Sequence, residues 1–345
     1  MKTSLQDYAF SRGAQLFSVS GIANYDDYLD KVRNRLNETG AGHEDFMNPV
    51  VGDKPGSADI SFFELLSDVR KSMPDAKSII LLGVYAYDES AIYKNTRRDL
   101  KGKIARTYSY YPVVRQIAED VTEHLKAKGH RAIQGQHVPL KYLASQTGLG
   151  VYGKNGIFQT PGYGSYVAFR NVITDLDLDP DSLGSFPSPC EDCDKCIRAC
   201  PTGALYAPFK VNPRLCINPI GRRPDDIPLA IRSDMQNWII GCDICQEVCP
   251  SNRDLIPREK DPRSGFDPEH HVSHKYLGGV AKSPSLIDLV DARYPDMIRR
   301  NAIIGLANNG KGKTEALAAL EKQLGNASGV LMTYLTWAIW ELNNP

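Results

Sequence analysis

The first half of the chain alternates between helical and strand spacing of its apolar positions. Residues 4–13 carry helical spacing, and "AQLFSV" (14–19) reads as a strand. "YDDYLDKVRNRLNE" (25–38) returns to a helical period, and 40–59, rich in Gly, Pro and polar residues, reads as a loop. "FFELLSDVRKSM" predicts a helix, and the apolar run "SIILLGVYAY" (78–87) predicts a buried strand. "PVVRQIAEDVTEHLKAKG" (112–129) is a clear amphipathic helix that stops at Gly129. "PLKYLASQTG" (139–148) is a shorter one, and "SYVAFRNVITDLDL" (165–178) supplies strands. This alternation predicts an α/β domain on a mixed sheet over residues 1–180. At the other end, 284–342 predicts four helical segments joined by short Gly/Asn/Pro loops. "RRNAIIGLANNG" and "VLMTYLTWAIWEL" read there as two rounds of a HEAT-like helical hairpin, in an all-α segment 258–345. A cysteine-rich module fills 181–257.

Composition narrows the class. A length of 345 residues fits two or three domains, and 42% hydrophobic with 24% charged residues is ordinary for a globular chain. Lys plus Arg equals Asp plus Glu at 41 each, so any nucleic-acid contact needs a local basic patch. The N-terminal residues lack the apolar core of a signal peptide, and no run approaches the roughly 18 apolar residues of a membrane span. The expectation is a cytoplasmic protein with no membrane partner, in which structural disulfides are out of place.

All eight cysteines lie between 190 and 249. Cys190, Cys193, Cys196 and Cys200-Pro201 read C-x2-C-x2-C-x3-C-P, the bacterial ferredoxin run, in which the fourth cysteine reaches the other cluster. Zinc is the alternative, but its ligands usually arrive as two separated pairs. A second run gives Cys242-x2-Cys245-x3-Cys249-Pro250, with Ile239 where a further cysteine would stand; Cys216 is the thiol left to fill that gap. The ferredoxin rule then assigns Cys190, Cys193, Cys196 and Cys249 to one [4Fe–4S] cluster. It assigns Cys200, Cys216, Cys242 and Cys245 to the other. Two close clusters carry electrons but break no organic bond unaided, so the chemistry lies elsewhere in the chain.

Two short motifs imitate phosphate sites. "GLGVYG" (148–153) fits G-x-G-x-x-G but follows a helix instead of a strand, which argues against a dinucleotide fingerprint. "GKGKT" (310–314) has Ala307 where a phosphate loop needs its first glycine, and reads as an exposed turn.

The two cysteine runs, the lone cysteine in "RLCI" (214–217), "GLGVYGKNG" (148–156) and "RRNAIIGLAN" occur together in an order that resembles the epoxyqueuosine reductase family, from about residue 70 onward. The resemblance implies a nitroreductase-like domain binding base-off cobalamin, as in the more distant reductive dehalogenases, with electrons reaching it from the two clusters. The D-x-H-x-x-G motif of histidine-ligated cobalamin is absent from this sequence. The resemblance also places Gly153, Lys154, Asn155 and Arg115 at the cofactor, and an external low-potential donor of ferredoxin or flavodoxin type at the clusters.

One departure concerns the proton donor. Where the family carries an aspartate ahead of the short helix, this chain reads "GQHVPLKYL" (135–143), with Gln136 at the aspartate position and His137 beside it. The upstream stretch "YSYYPVVR" keeps Tyr110 and Arg115; since reductive dehalogenases use a tyrosine acid, the resemblance makes Tyr110 the first candidate, ahead of Tyr108 and Tyr111. The family substrate implies tRNA as partner. The candidate RNA contacts are Arg299, Arg300, Lys311 and Lys313 in the tail, with Arg97, Arg98, Lys101, Lys103 and Arg106 before the tyrosines. The loss of the aspartate leaves a small-molecule electrophile as the alternative substrate, and a corrin-free electron carrier as the alternative outside enzymes.

Overall fold

The computed structural model describes residues 1–22, 28, 69–87, 100–135, 138–184, 186–223, 226–255, 285–310 and 313–344. The expected helix at 25–38, most of the one at 62–73, and Gln136, His137, Arg97, Arg98 and Lys311 lie outside the described residues. In chain order the first half runs α1 (Lys2–Ser11), β1 (Leu16–Gly21), β2 (Ser78–Tyr85), β3 (Lys103–Ile104), α2 (Tyr111–Ala127), β4 (Ala132–Gln134), α3 (Leu140–Gln146), β5 (Val151–Tyr152), β6 (Phe158–Gln159) and β7 (Val167–Thr174).

Strand β2 is buried along its whole length, which is why its sequence is an apolar run and not an alternation. Successive side chains of a strand point to opposite faces. On one face Ile80, Leu82 and Val84 meet Val114, Ile117, Val121 and Leu125 of α2. On the other, Ile79 and Leu81 meet Leu143 and Ala144 of α3. Helices therefore cover both faces of the sheet. Its order is β1-β2-β7-β4.

The expected mixed sheet is antiparallel at each of its three pairings. Strands β2 and β4 do run the same way, but β7 returns between them. "GLGVYG" proves to be part of a hairpin: β5 pairs β6, and no helix follows. Gly150 sits at φ +155, where a Cβ would collide with the Gln159 carbonyl.

The second half runs α4 (Lys195–Ala199), β8 (Leu205–Ala207), β9 (Lys210–Val211), α5 (Ile217–Ile220), α6 (Leu229–Arg232), β10 (Trp238–Ile240) and α7 (Ile244–Glu247). The four tail helices are α8 (Leu286–Leu289), α9 (Asp296–Asn309), α10 (Thr314–Gln323) and α11 (Gly329–Asn343). One core unites the cysteine region with the tail: Ile217, Ile220, Trp238 and Ile240 pack in the same cluster as Ile298, Ile303, Leu335 and Ala338. Tyr108 and Ile104 enter it from the α/β side.

This packing corrects the reading of the basic residues. Arg299 and Arg300 are 6% and 2% exposed and cannot reach an RNA phosphate. Arg300 donates to the carbonyls of Arg223 (2.8 Å) and Ile220 (3.4 Å), and Arg299 to Val290 O (3.1 Å). They satisfy carbonyls that burial would otherwise strand. Lys103 lies on the strand that pairs with β10, its ammonium 5.3 Å from the Trp238 ring. No helix among the described residues is long and apolar enough to cross a membrane.

Candidate redox centre and cofactor recess

Each cysteine run uses one device twice. A one-turn helix presents the middle cysteines, and the chain then turns extended at a Cys-Pro step. Cys200 leaves α4 at φ −69, ψ 109, and Cys249 follows α7 at φ −72, ψ 124. The proline that comes next cannot continue a helix, so each terminal thiol points away from its own run.

The sulfurs fall into two neighbourhoods. Cys196 experiences the charges of Cys190 and Cys249. Cys216 experiences Cys200, and Cys242 experiences Cys245 and Cys216. Cys245 experiences Cys216, Cys196 and Cys200, so the neighbourhoods adjoin. Among the described residues no three ligand-type side chains crowd one point as they do around a single ion.

The neighbourhoods differ in depth. Glu191, Asp192, Asp194, Lys195 and Arg198, which flank the first, are all exposed. The second is flanked by Ile217, Ile240 and Asp243, at 3%, 1% and 0% exposure. Burial pushes the thiols of Cys216, Cys242 and Cys245 upward although each keeps some open surface.

A buried ion pair joins this inner neighbourhood to the sheet domain. Asp243 lies between Cys242 and Cys245 and accepts from the Arg106 backbone N–H (2.9 Å) and Nη1 (3.1 Å). The same Nη1 bonds Tyr166 Oη (3.2 Å) and Glu247 (3.3 Å). Burial raises the Asp243 pKa, and Arg106 opposes the rise. Gln246 continues the network to Asp243 (2.6 Å) and Ser165 (2.8 Å), and Asn252 donates to Ser165 Oγ (2.8 Å). The expected effect of Arg106→Met is a loss of about 3–5 kcal/mol, since it leaves a carboxylate buried without its cation. Denaturant unfolding of the protein checks this. A loss below about 1 kcal/mol would show the pair to be dispensable.

Two exposed side chains of the sheet domain are nonetheless desolvated. Tyr111, the first residue of α2, is 43% exposed, yet desolvation raises its pKa, with Arg222 and a hydrogen bond to Thr107 opposing. Lys141 on α3 is exposed, yet desolvation lowers its pKa, opposed by the Cys245 charge. Exposure combined with desolvation is what the walls of a recess would show. Arg115 lies one turn from Tyr111 on α2 and is also exposed; burial first, and then the Arg115 charge, lowers the pKa of Arg170. Among the described residues the histidines stand elsewhere: His124 stacks on Tyr8 at 4.0 Å, and His130 lies 3.6 Å from Asp175.

Tyr110 is not at this wall. It is 4% exposed and packs with Val84, Ala86 and Val114 in the core between α2 and the sheet. Tyr108 is buried too, its hydroxyl on Asn218 (3.0 Å). Gly153, Lys154 and Asn155 form the β5–β6 turn, where Asn155 Oδ1 accepts from Ile157 N (3.0 Å). The Lys154 backbone N–H donates to Cys190 Sγ (3.3 Å), and its ammonium bonds the Glu191 carbonyl. Of the three, Lys154 reaches the outer cysteine loop, while Gly153 and Asn155 bond within the turn. Sequence reasoning missed Lys141 and the Arg106–Asp243 pair; the available signal was a carboxylate enclosed within Cys242-Asp243-Ile244-Cys245.

Known proteins share this arrangement. Residues 189–252 match a domain family described as a 4Fe-4S double cluster binding domain. A relative from Synechocystis, an epoxyqueuosine reductase, is 32% identical over 254 residues, covering 68% of this chain and 85% of that protein. The chain belongs to the epoxyqueuosine reductase family. Two structures of epoxyqueuosine reductases extend the likeness to the fold, each at 26% identity and covering 90% of the solved chain. One holds an epoxyqueuosine-modified tRNA-Tyr stem loop (TM-score 0.79, 100% of this chain). The other, from Bacillus subtilis, has its catalytic aspartate loop swung out of the active site (TM-score 0.78, 99% of this chain).

Proposed function

We propose that this chain is a cobalamin-dependent reductase that converts epoxyqueuosine to queuosine in tRNA, drawing electrons through two [4Fe–4S] clusters. Family membership supports the reaction. The observation that carries the electron path is that Lys141 lies within the field of Cys245, and the desolvated surface around Lys141 and Tyr111 is taken as the cofactor recess. The outer cluster takes Cys190, Cys193, Cys196 and Cys249; the inner takes Cys200, Cys216, Cys242 and Cys245. The two sulfur neighbourhoods fit such groups, and the recess is read as the place of a corrin, bound base-off as the family resemblance implies. When bound, cobalamin supplies the low-potential chemistry at cobalt.

The chain's own residues do the rest. Tyr111 holds a proton at its Oη and takes the role first expected of Tyr110, with Gln136 and His137 the other candidates for proton transfer. Arg115 and Lys141 orient anionic groups of cofactor or substrate. Lys154, on the turn it shares with Gly153 and Asn155, braces the outer cluster instead of the corrin. The division at 180 and 257, with a nitroreductase-like first unit and a HEAT-like tail, belongs to the same reading, as does an external ferredoxin- or flavodoxin-type donor.

Gln136, standing where relatives carry an aspartate, favours a second reading in which the electrophile is a small molecule. Expression in a bacterium lacking its own epoxyqueuosine reductase separates the two. Restored queuosine in its tRNA is the expected result. Persistent epoxyqueuosine beside well-expressed, iron-loaded protein would overturn the tRNA assignment.

A further inference from the structure

The cysteine module carries an apolar tip that the proposed reaction does not use. Tyr206 and Phe209, on and between β8 and β9, are 63% and 47% exposed. Both are aromatic, and they stand on a hairpin whose inner residues Ala204 and Leu205 are buried at 1% and 6%. Phe209 occupies the third position of the turn Ala207-Pro208-Phe209-Lys210 at φ +63, where glycine or asparagine is the usual choice. A bulky residue held at positive φ is a genuine outlier, and such outliers gather at functional sites. The chain thus keeps an exposed aromatic ring where local preference calls for none.

The tip is wired to the outer cysteines. The Phe209 N–H donates to Lys154 O (2.8 Å), and the N–H of that same lysine donates to Cys190 Sγ (3.3 Å). A Cβ on Gly156 would stand 3.3 Å from Val211 Cγ2, so the β5–β6 turn also lies against β9. One residue therefore separates the exposed ring from a ligand of the outer cluster. Hydrogen bonds to cysteine sulfur and solvent exposure both act on cluster potential.

Charge identifies the visitor. Residues 201–215 hold no Asp or Glu but do hold Lys210 and Arg214, both exposed. In the neighbouring loop Asp194 is paired with Arg198 (2.9 Å). An aromatic tip with cationic flanks fits a carboxylate-rimmed partner, and such complementarity acts chiefly on encounter rate.

We propose that the Tyr206–Phe209 hairpin tip is the landing surface for a small acidic one-electron carrier protein that reduces the outer cluster. The proposal rests on the cluster assignment above and names the partner of that site. In each encounter one electron leaves the carrier and one enters the outer cluster. Two oxidised carriers leave for every two-electron reduction at the recess.

The test uses anaerobically loaded protein of measured iron content and a reduced flavodoxin as probe. Bleaching of cluster absorbance is followed by stopped flow, with no corrin or substrate present, and broadening of the flavodoxin's NMR signals reports binding. In the Tyr206→Ser/Phe209→Gly variant the backbone keeps its turn, since glycine favours φ +63. The expected result is carrier-driven bleaching slowed about tenfold, weaker broadening, and unchanged bleaching by dithionite. Lys210→Glu should slow the carrier reaction further at low salt than at high salt. Equal rates and equal broadening in all variants would overturn the landing surface. Iron far below that of two clusters would instead sink the cluster assignment, and the broadening would still report whether the carrier docks at the tip.

Discussion

Replacing Tyr111 with Phe is expected to lower turnover by about 10²–10⁴-fold, the range for removal of a general acid, with iron and corrin content unchanged. Tyr111 is exposed, whereas Tyr110 is held among Val84, Ala86 and Val114. Tyr110→Phe should therefore keep most turnover and report mainly on stability. The raised pKa of Tyr111 gives the sign of the pH dependence: the hydroxyl stays protonated through neutral pH, and its proton is lost only as pH climbs past a value above the ordinary 10.0. Turnover limited by this acid should stay level from pH 6 to 9, roughly, and fall beyond. A fall below threefold in Tyr111→Phe, or a larger fall in Tyr110→Phe, would return the role to the core tyrosine or to His137.

Cys249→Ala should cost the cluster of the other run. Cys196 lies in the field of Cys190 and Cys249, so the variant should keep about four of about eight irons and lose the outer set. Cys200→Ala should do the reverse and leave the outer set in place. EPR of the reduced proteins separates the two, because the surviving cluster differs in its surroundings. Either variant interrupts the relay, and turnover driven by a protein donor should fall more than 100-fold, roughly, while the untouched cluster still takes up an electron. If Cys249→Ala and Cys245→Ala instead removed the same cluster, each run would hold its own, and the crossed assignment would fail.

Much of this was visible in the residues. The run at 78–87 is apolar without alternation because both faces of β2 are covered, and α2 shows its period because one side meets the sheet. The eight cysteines show in their spacing the double-cluster domain that residues 189–252 match. Strand direction was not legible, since period-2 patterning is the same for parallel and antiparallel neighbours and the return of β7 between β2 and β4 is set by packing. Tyr110 and Tyr111 differ by a single step at a helix start, where the spacing says nothing about which ring turns inward. Arg299 and Arg300 looked like surface charge because their carbonyl partners come from residues 220–223 and 290, too far along the chain to be read locally.

The adjacency of Cys196 and Cys249 also bears on biosynthesis. In the crossed assignment proposed above, a thiol from the second run completes the neighbourhood begun by the first, so neither centre would close while the ribosome is still making the segment between them. By the time Cys249 emerges, β7 has long been available, and the sheet can fold before any iron is committed. Metal would thus be acquired late, by a chain whose cofactor recess already has its walls.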